Sequence, residues 1–301
     1  MTGSDRDGRR APTDPVARGE VDPAALRAAA ETIAREAGDI VLAHYERGVA
    51  VDHKGDEGNL VTDADRASEA FIVAALRRRF PEHGIVAEEG GGSGGGAITW
   101  LVDPLDGTNN FAHGFPVFAV TLAAVAGGVV LAGATVDPLR DEHFSAHRGG
   151  GATLNGRPLR VSHVARLSAA LVGTGFAYDK ATTVDNNLAE VVTLVPRVRG
   201  LRRAGACALD LAWVAAGRLD AFWERGPQAW DMAAGCLMVA EAGGRVTGYD
   251  GAPHDLDSGR VVASNGTLHP ALLERLAAAR ALIGRLPQPA PDPIDAVAAA
   301  E

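Results

Sequence analysis

Only two cysteines, Cys207 and Cys236, occur in 301 residues. Two thiols so far apart make neither a disulfide framework nor a zinc site. They read as small buried apolar side chains. No run of about 18 apolar residues exists, which argues against a membrane-spanning helix. Met1 to Glu20 lack the apolar stretch of a secretory signal, so a cytoplasmic protein with no membrane partner is expected. Basic residues are outnumbered, with 29 Lys and Arg against 38 Asp and Glu and a net charge of −9. No basic face stands out beyond short clusters such as Arg77, Arg78 and Arg79, so no nucleic-acid partner is expected. An acidic chain that handled anionic ligands would need cations to bring them in.

What is present is ordinary for a globular protein: 47% apolar and 22% charged residues, in a chain long enough to bury a sizeable core. Residues 1–21 are polar and aperiodic and read as a disordered tail. Residues 287–301, with four prolines and then alanines, read as a flexible tail. One domain is expected over 22–286.

Asp22-Pro23 predicts a helix start. Thr62 predicts a second, running to about Phe80, where Pro81 stops it. Trp100–Val102, Val117–Val125, Val129–Val136 and Glu142–His147 read as strands, with tight turns at Gly127-Gly128 and Asn155-Gly156. Further on, Leu171–Thr174, Asp220–Trp223 and Val261–Ala263 read as strands. Helices are expected at 182–196, 208–216 and 231–242. The mixture predicts an α+β or layered α/β fold. Gly90–Gly96 lacks the Lys-Ser/Thr ending of a phosphate loop and reads as a surface loop.

Acidic residues punctuate these elements. Asp103 and Asp106 flank the end of a short apolar strand, where Pro104 is expected to stop sheet pairing. Two carboxylates three residues apart at a strand end can converge on one point, with the Leu105 carbonyl between them. Hard divalent cations such as Mg²⁺ take such oxygen ligands. The Gly107 and Thr108 amides could face an anion, as those of helix N-termini do. Each segment also has a plain structural reading: Asp103–Gly107 as a turn, Thr62 with Asp65 as a capping box, Asp231 as a helix N-cap, and Glu88-Glu89 as a solvated pair. His113 and His147 read as surface or packing residues.

Together the segments resemble the inositol monophosphatase family, lithium-sensitive, magnesium-dependent phosphatases related to fructose-1,6-bisphosphatases. Asp103-Pro104-Leu105-Asp106-Gly107-Thr108-Asn109-Asn110-Phe111 is similar to that family's first signature. Trp230-Asp231-Met232-Ala233-Ala234-Gly235, followed by Glu241-Ala242-Gly243-Gly244, is similar to its second. Val61-Thr62-Asp63-Ala64-Asp65 and Glu88-Glu89 stand upstream in the matching places. The resemblance covers about residues 22–286.

It implies a layered αβαβα sandwich, a homodimer, and two or three Mg²⁺ per subunit. Glu88, Asp103 and the Leu105 carbonyl would hold a first ion, and Asp103, Asp106 and Asp231 a second; a third, weaker ion would lie near Glu88. Thr108 and Glu88 would hold the attacking water, and Asp65 would bond Thr108 and help accept its proton. Asp106, Gly107, Thr108, Gly205, Ala206, Glu224 and the loop residue Lys54 would meet the substrate. Ala206 and Cys207 stand where relatives often carry Ser, Thr or Ala.

The implied reaction is hydrolysis of a small phosphate monoester, with inositol monophosphate the leading substrate. Histidinol phosphate, fructose 1,6-bisphosphate and 3′-phosphonucleotides are the alternatives within the superfamily. A non-catalytic partner of transcription machinery is the alternative of another class.

Overall fold

The computed structural model describes residues 21–48, 51–53, 60–90, 92 and 95–286. Residues 1–20 of the tail expected at 1–21, the tail expected at 287–301, Lys54, and three residues of the 90–96 loop lie outside these; Val21 is described and packs against the core.

In chain order the elements are α1 (Pro23–Arg47), β1 (Val51–His53), β2 (Leu60–Thr62), α2 (Asp63–Arg79), β3 (Gly84–Ala87), β4 (Thr99–Asp106) and α3 (Thr108–Ala112). Then come β5 (Ala119–Ala126), β6 (Val129–Asp137), β7 (Glu142–His147), β8 (Gly151–Leu154), β9 (Arg157–Pro158), β10 (Leu171–Thr174), α4 (Leu188–Leu194) and β11 (Gly200–Arg202). The chain continues through α5 (Cys207–Ala215), β12 (Ala221–Arg225), α6 (Ala229–Glu241), β13 (Arg245–Thr247), β14 (Arg260–Ser264) and α7 (His269–Ala279).

β3 to β9 form a seven-stranded sheet in sequence order, with β3 and β4 parallel and the later pairs antiparallel. A five-stranded sheet has the order β11-β10-β12-β14-β13, with β10 parallel to both its neighbours. β1 and β2 make a separate antiparallel pair.

Strand alternation assigns the layers. Trp100, Val102, Val120, Leu122 and Ala124 point to one face of the large sheet and pack on α1 and α2. Leu101, Ala119 and Ala123 point to the other, where α5 and α6 meet them; Phe222, Val261 and Ala263 of the small sheet close the same layer. Val172, Ala221, Trp223 and Val262 face outward under α4 and α7, through Leu194, Leu268 and Leu272. The result is helix, sheet, helix, sheet, helix: the αβαβα sandwich that was expected. Both sheets are buried on two faces, so their strands are apolar nearly throughout, at about 1.5–3 kcal/mol per large side chain removed from water.

Asp22 caps α1, accepting from the Ala24 amide at 2.9 Å, and Pro23 opens the helix. Gly127-Gly128 forms a two-residue hairpin turn with positive φ at both positions, and Asn155-Gly156 does the same. Three expectations need correction. β4 does not stop at Pro104: it shifts register there and pairs again at Asp106 with Ala119. A bulge absorbs the missing amide, as prolines in sheets require. The helix expected over 182–196 begins only at Leu188, because Asn187 sits at φ 70° in the left-handed region. Asp231 is not the N-cap of α6; Gln228 is, and Asp231 lies in the first turn. Two-to-four-residue strands such as β3, β8 and β11, and the helix α7, have no counterpart in the sequence reading.

Candidate active site

The strand–turn–helix unit from β4 to α3 is the frame of the site. α2 props its bulge: the Ser68 hydroxyl donates to the Pro104 carbonyl at 2.8 Å. Beyond the bulge, Gly107 takes a left-handed φ of 91°, and a Cβ there would crowd the Val117 and Gly205 carbonyls at 3.0 and 3.3 Å. Only glycine suits both demands. Asn110 then donates to the Val117 carbonyl at 2.7 Å and the Ala204 carbonyl at 2.9 Å, fixing the 204–206 loop beside the turn.

Four acidic residues and Leu105 line a common cavity of about 320 Å³: Glu88, Asp103, Asp106 and Asp231 are the acids. Glu88 follows β3 and Asp103 lies in β4, so register between parallel neighbours, Ala87 opposite Val102, puts Glu88 just past the end of β3 beside Asp103 at the start of the β4 bulge. The Glu88 amide donates to the Val102 carbonyl at 3.1 Å. Asp103 accepts from the Leu105 amide at 3.0 Å. Asp231 accepts from the Gln228 amide at 2.7 Å. Asp106 spans to the other sheet's side of the molecule, accepting from the Cys207 and Ala208 amides at 3.2 and 2.8 Å. It thereby satisfies the first free N–H groups of α5, where a carboxylate is favoured.

Burial raises Asp103, Asp106 and Asp231, and the neighbouring negative charges raise them further. Asp103 is held well above the usual carboxylate range by burial, then by Glu88, Asp106 and Asp231. Burial, with the charges of Glu224 and Glu88, pushes Asp106 up to about 7. Asp231 is raised by burial and by Asp106, while a hydrogen bond with Asp103 opposes the shift. Among the described residues no three His, Cys, Asp or Glu side chains are already gathered about one point as a metal cage. Asp103 and Asp231 are hydrogen-bonded to each other, and Glu88 and Asp106 line the same cavity. An all-oxygen donor set under such repulsion fits a hard divalent cation, which would turn the repulsion into attraction.

Thr108 stands on the same cavity. Its hydroxyl lies 3.1 Å from Asp65 Oδ1 and 3.0 Å from the Leu105 carbonyl. Asp65 is fully buried behind it, in the first turn of α2. There it accepts from the Thr62 amide at 2.8 Å and from the Thr62 hydroxyl. Burial pushes Asp65 up to about 6 against these bonds.

A second cavity, of about 120 Å³, adjoins the first and shares Asp106, Gly107, Thr108, Tyr178 and Asp231 with it. Gly205, Ala206 and Glu224 line it. Burial, then the charge of Asp231, pushes Glu224 up to about 8, while Arg203 and the Cys207 thiol pull the other way.

A sequence model described as the inositol monophosphatase family matches residues 22–284. The chain belongs to the inositol monophosphatase family. It is 46% identical over 244 residues to an inositol-1-monophosphatase of Synechocystis sp., covering 80% of this chain and 85% of that one. It is 49% identical over 257 residues to the Nus factor SuhB of Pseudomonas aeruginosa, covering 83% and 93%. An inositol monophosphatase structure from Anabaena superposes with a TM-score of 0.78 at 41% identity, over 88% of this chain and 97% of that one. Family membership implies a phosphatase acting on a phosphorylated small molecule.

The fold thus brings Glu88, Asp103, Asp106 and Asp231 to one cavity with Asp65 behind Thr108, whereas Asp63 of the quoted segments is exposed and Glu241 accepts from the Gly149 and Gly151 amides. Gly205, Ala206 and Glu224 fall in the adjoining cavity, and Lys54 lies outside the described residues. Sequence reasoning missed four contributors. Asn110 and Ser68 brace the turn, Tyr178 touches both cavities, and Asp210 sits at the second. Asn110 was inside the quoted signature; the others carried no local signal.

Proposed function

We propose that the chain catalyses Mg²⁺-dependent hydrolysis of a small polyol phosphate monoester, with inositol monophosphate the leading substrate. One observation carries this reading: Glu88, Asp103, Asp106 and Asp231 share a single cavity with Thr108, which Asp65 backs, beside a second cavity that holds Glu224.

Glu88, Asp103, the Leu105 carbonyl, Asp106 and Asp231 would hold the metal ions. When bound, Mg²⁺ supplies a polarised phosphoryl group, a more acidic water, and neutralisation of charge on the leaving oxygen. The chain's own groups then do the following. Thr108, donating to Asp65, keeps its lone pairs to accept from a water in the cavity. Asp65, raised to about 6, is poised near neutrality to take a proton through the Thr108 hydroxyl. Asp65 reaches the cavity only through Thr108, so it acts behind the water rather than on it. Glu224 receives the hydroxyls of the leaving alcohol. Phosphate and free alcohol are the products, with no covalent phosphoenzyme: Cys207 and Cys236 are buried and their thiols are pushed up, away from the thiolate form.

A substrate panel with a metal titration tests this. Inositol 1-phosphate, histidinol phosphate, fructose 1,6-bisphosphate and a 3′-phosphonucleotide would be compared for phosphate release with and without Mg²⁺. The expected result is metal-dependent release, highest kcat/KM on the inositol ester, and inhibition by Li⁺. Release from none of them would end the catalytic reading. A relative named Nus factor SuhB keeps a role in transcription open beside it. The complete acidic set favours catalysis, because a purely structural role would not require four repelling carboxylates. A homodimer is proposed from the family resemblance alone.

A further inference from the structure

Six residues line both cavities: Asp106, Gly107, Thr108, Tyr178, Gly226 and Asp231. Tyr178 alone among them is a large aromatic residue, and the mechanism above does not use it. It is 59% exposed, so the side chain is open to whatever enters between the cavities. The chain pins its backbone from both sides. Asp179 accepts two bonds from the Arg225 guanidinium, at 2.7 and 2.8 Å. Ala177 lies against Gly226, where a Cβ would come within 2.4 Å of the alanine's own. Upstream, the Asn187 amide donates to the Gly175 carbonyl at 2.6 Å and anchors the chain just past the end of β10. An exposed aromatic ring on a pinned backbone is a preformed contact surface, which costs a ligand little ordering.

We propose that Tyr178 is a specificity-determining residue that selects a ring-shaped leaving alcohol, its aromatic ring packing on the C–H face of a cyclic polyol while the phosphoryl group occupies the first cavity. This rests on the phosphatase reading above. A monoester with its phosphate among the acids of the first cavity and its alcohol beside Glu224 must cross from one cavity to the other, and Tyr178 stands at that crossing. A cyclic polyol carries hydroxyls around its rim and C–H bonds on its faces. Glu224 serves the hydroxyls. The faces need an apolar partner, and covering an exposed aromatic ring removes apolar surface from water. The electron-rich face of the ring also suits C–H bonds. A short linear alcohol has no continuous face to lay on the ring and gains little from it.

The test compares the full-length wild type, Tyr178→Ala and Tyr178→Phe with Mg²⁺ on two esters, inositol 1-phosphate and the linear glycerol 2-phosphate. Tyr178→Ala raises KM for the inositol ester about 10-fold, the low end of what losing an apolar contact costs a pocket, and leaves its kcat within about 2-fold. On the glycerol ester the same variant changes kcat/KM by less than about 2-fold. Tyr178→Phe, which keeps the ring, behaves as the wild type on both. Equal losses on the two esters in Tyr178→Ala would overturn the inference, and so would a loss that falls on kcat alone or no loss at all. A loss in Tyr178→Phe as large as in Tyr178→Ala would also overturn it, because the hydroxyl and not the ring would then carry the effect. Absence of phosphate release from both esters by the wild type is a different failure, that of the phosphatase reading itself.

Discussion

Asp103, Asp106, Thr108 and Asp231 on the first cavity are each tied by hydrogen bonds to backbone that the same motif supplies or that a helix start presents. Around the second cavity the tactic is different. Gly175 and Gly205 clear the space, and Glu224, Asp210 and Arg203 line what the missing side chains leave. The first arrangement fixes geometry, which positional chemistry on a phosphoryl group demands. The second fixes shape, which selection of a leaving group demands. One half serves the reaction, the other its substrate. Asp106 joins them: its carboxylate faces the first cavity while it holds the start of α5, the helix that carries Asp210.

Substitutions on the two sides should therefore separate. The largest expected effect is that of Asp103→Asn, which should lower Mg²⁺-dependent kcat by about 10³-fold by removing a charge at the centre of the acidic set. Its metal-free melting temperature should not fall, because a buried, repelled charge has gone while the acceptor for the Leu105 amide stays. Near-normal turnover would refute the assignment of Asp103 as a metal ligand. Thr108→Ala comes next, with a loss in kcat of about 10²-fold on every substrate, the size expected of a positioned proton-transfer group. A loss confined to KM would move Thr108 from the water to substrate binding.

The sequence displayed these two halves unequally, and for a physical reason. Asp103, Asp106 and Thr108 lie within six residues, so their chemistry is visible in one motif. Asp65 was visible as the partner of Thr62 in a capping box. Glu88 needed the parallel register of β3 with β4, which four-residue strands are too short to announce by periodicity. The bond from the Cys207 amide to Asp106 joins residues 101 apart, and nothing local marks it. Asp210 in sequence is one polar residue of an apolar helix; only the topology, which lays β10 and β12 beside α5, shows that it lies at a cavity wall. The layered fold followed from the order of elements, whereas the 182–196 helix was overextended because Asn187 breaks it without a glycine or proline to signal the break.

A smaller effect sharpens the second half. Gly175→Ala should lower kcat/KM about 10-fold for the inositol ester and less for p-nitrophenyl phosphate, since the added methyl would overlap Glu224. Equal losses on both would mean that the methyl also disturbs the first cavity, and that the two halves are not separable.

The mildest test is thermodynamic, and its sign is fixed by the acids. Asp65, Asp106 and Glu224 have folded-state values raised to about 6, 7 and 8. A carboxyl raised on folding binds its proton more tightly in the folded state, so its stabilising contribution is complete below about pH 4 and is lost as pH rises through the raised value. The metal-free chain therefore sheds this contribution between about pH 4 and 8. Mg²⁺ requires deprotonated ligands, so its binding strengthens over the same window and stabilises only the folded chain. The gap in melting temperature between Mg²⁺-loaded and metal-free protein should widen from pH 5 to pH 8, by a few degrees. Asp103→Asn should shrink it, whereas Gly175→Ala, confined to the other cavity, should leave it. A gap independent of pH would mean that Asp106 is not among the groups the ion neutralises.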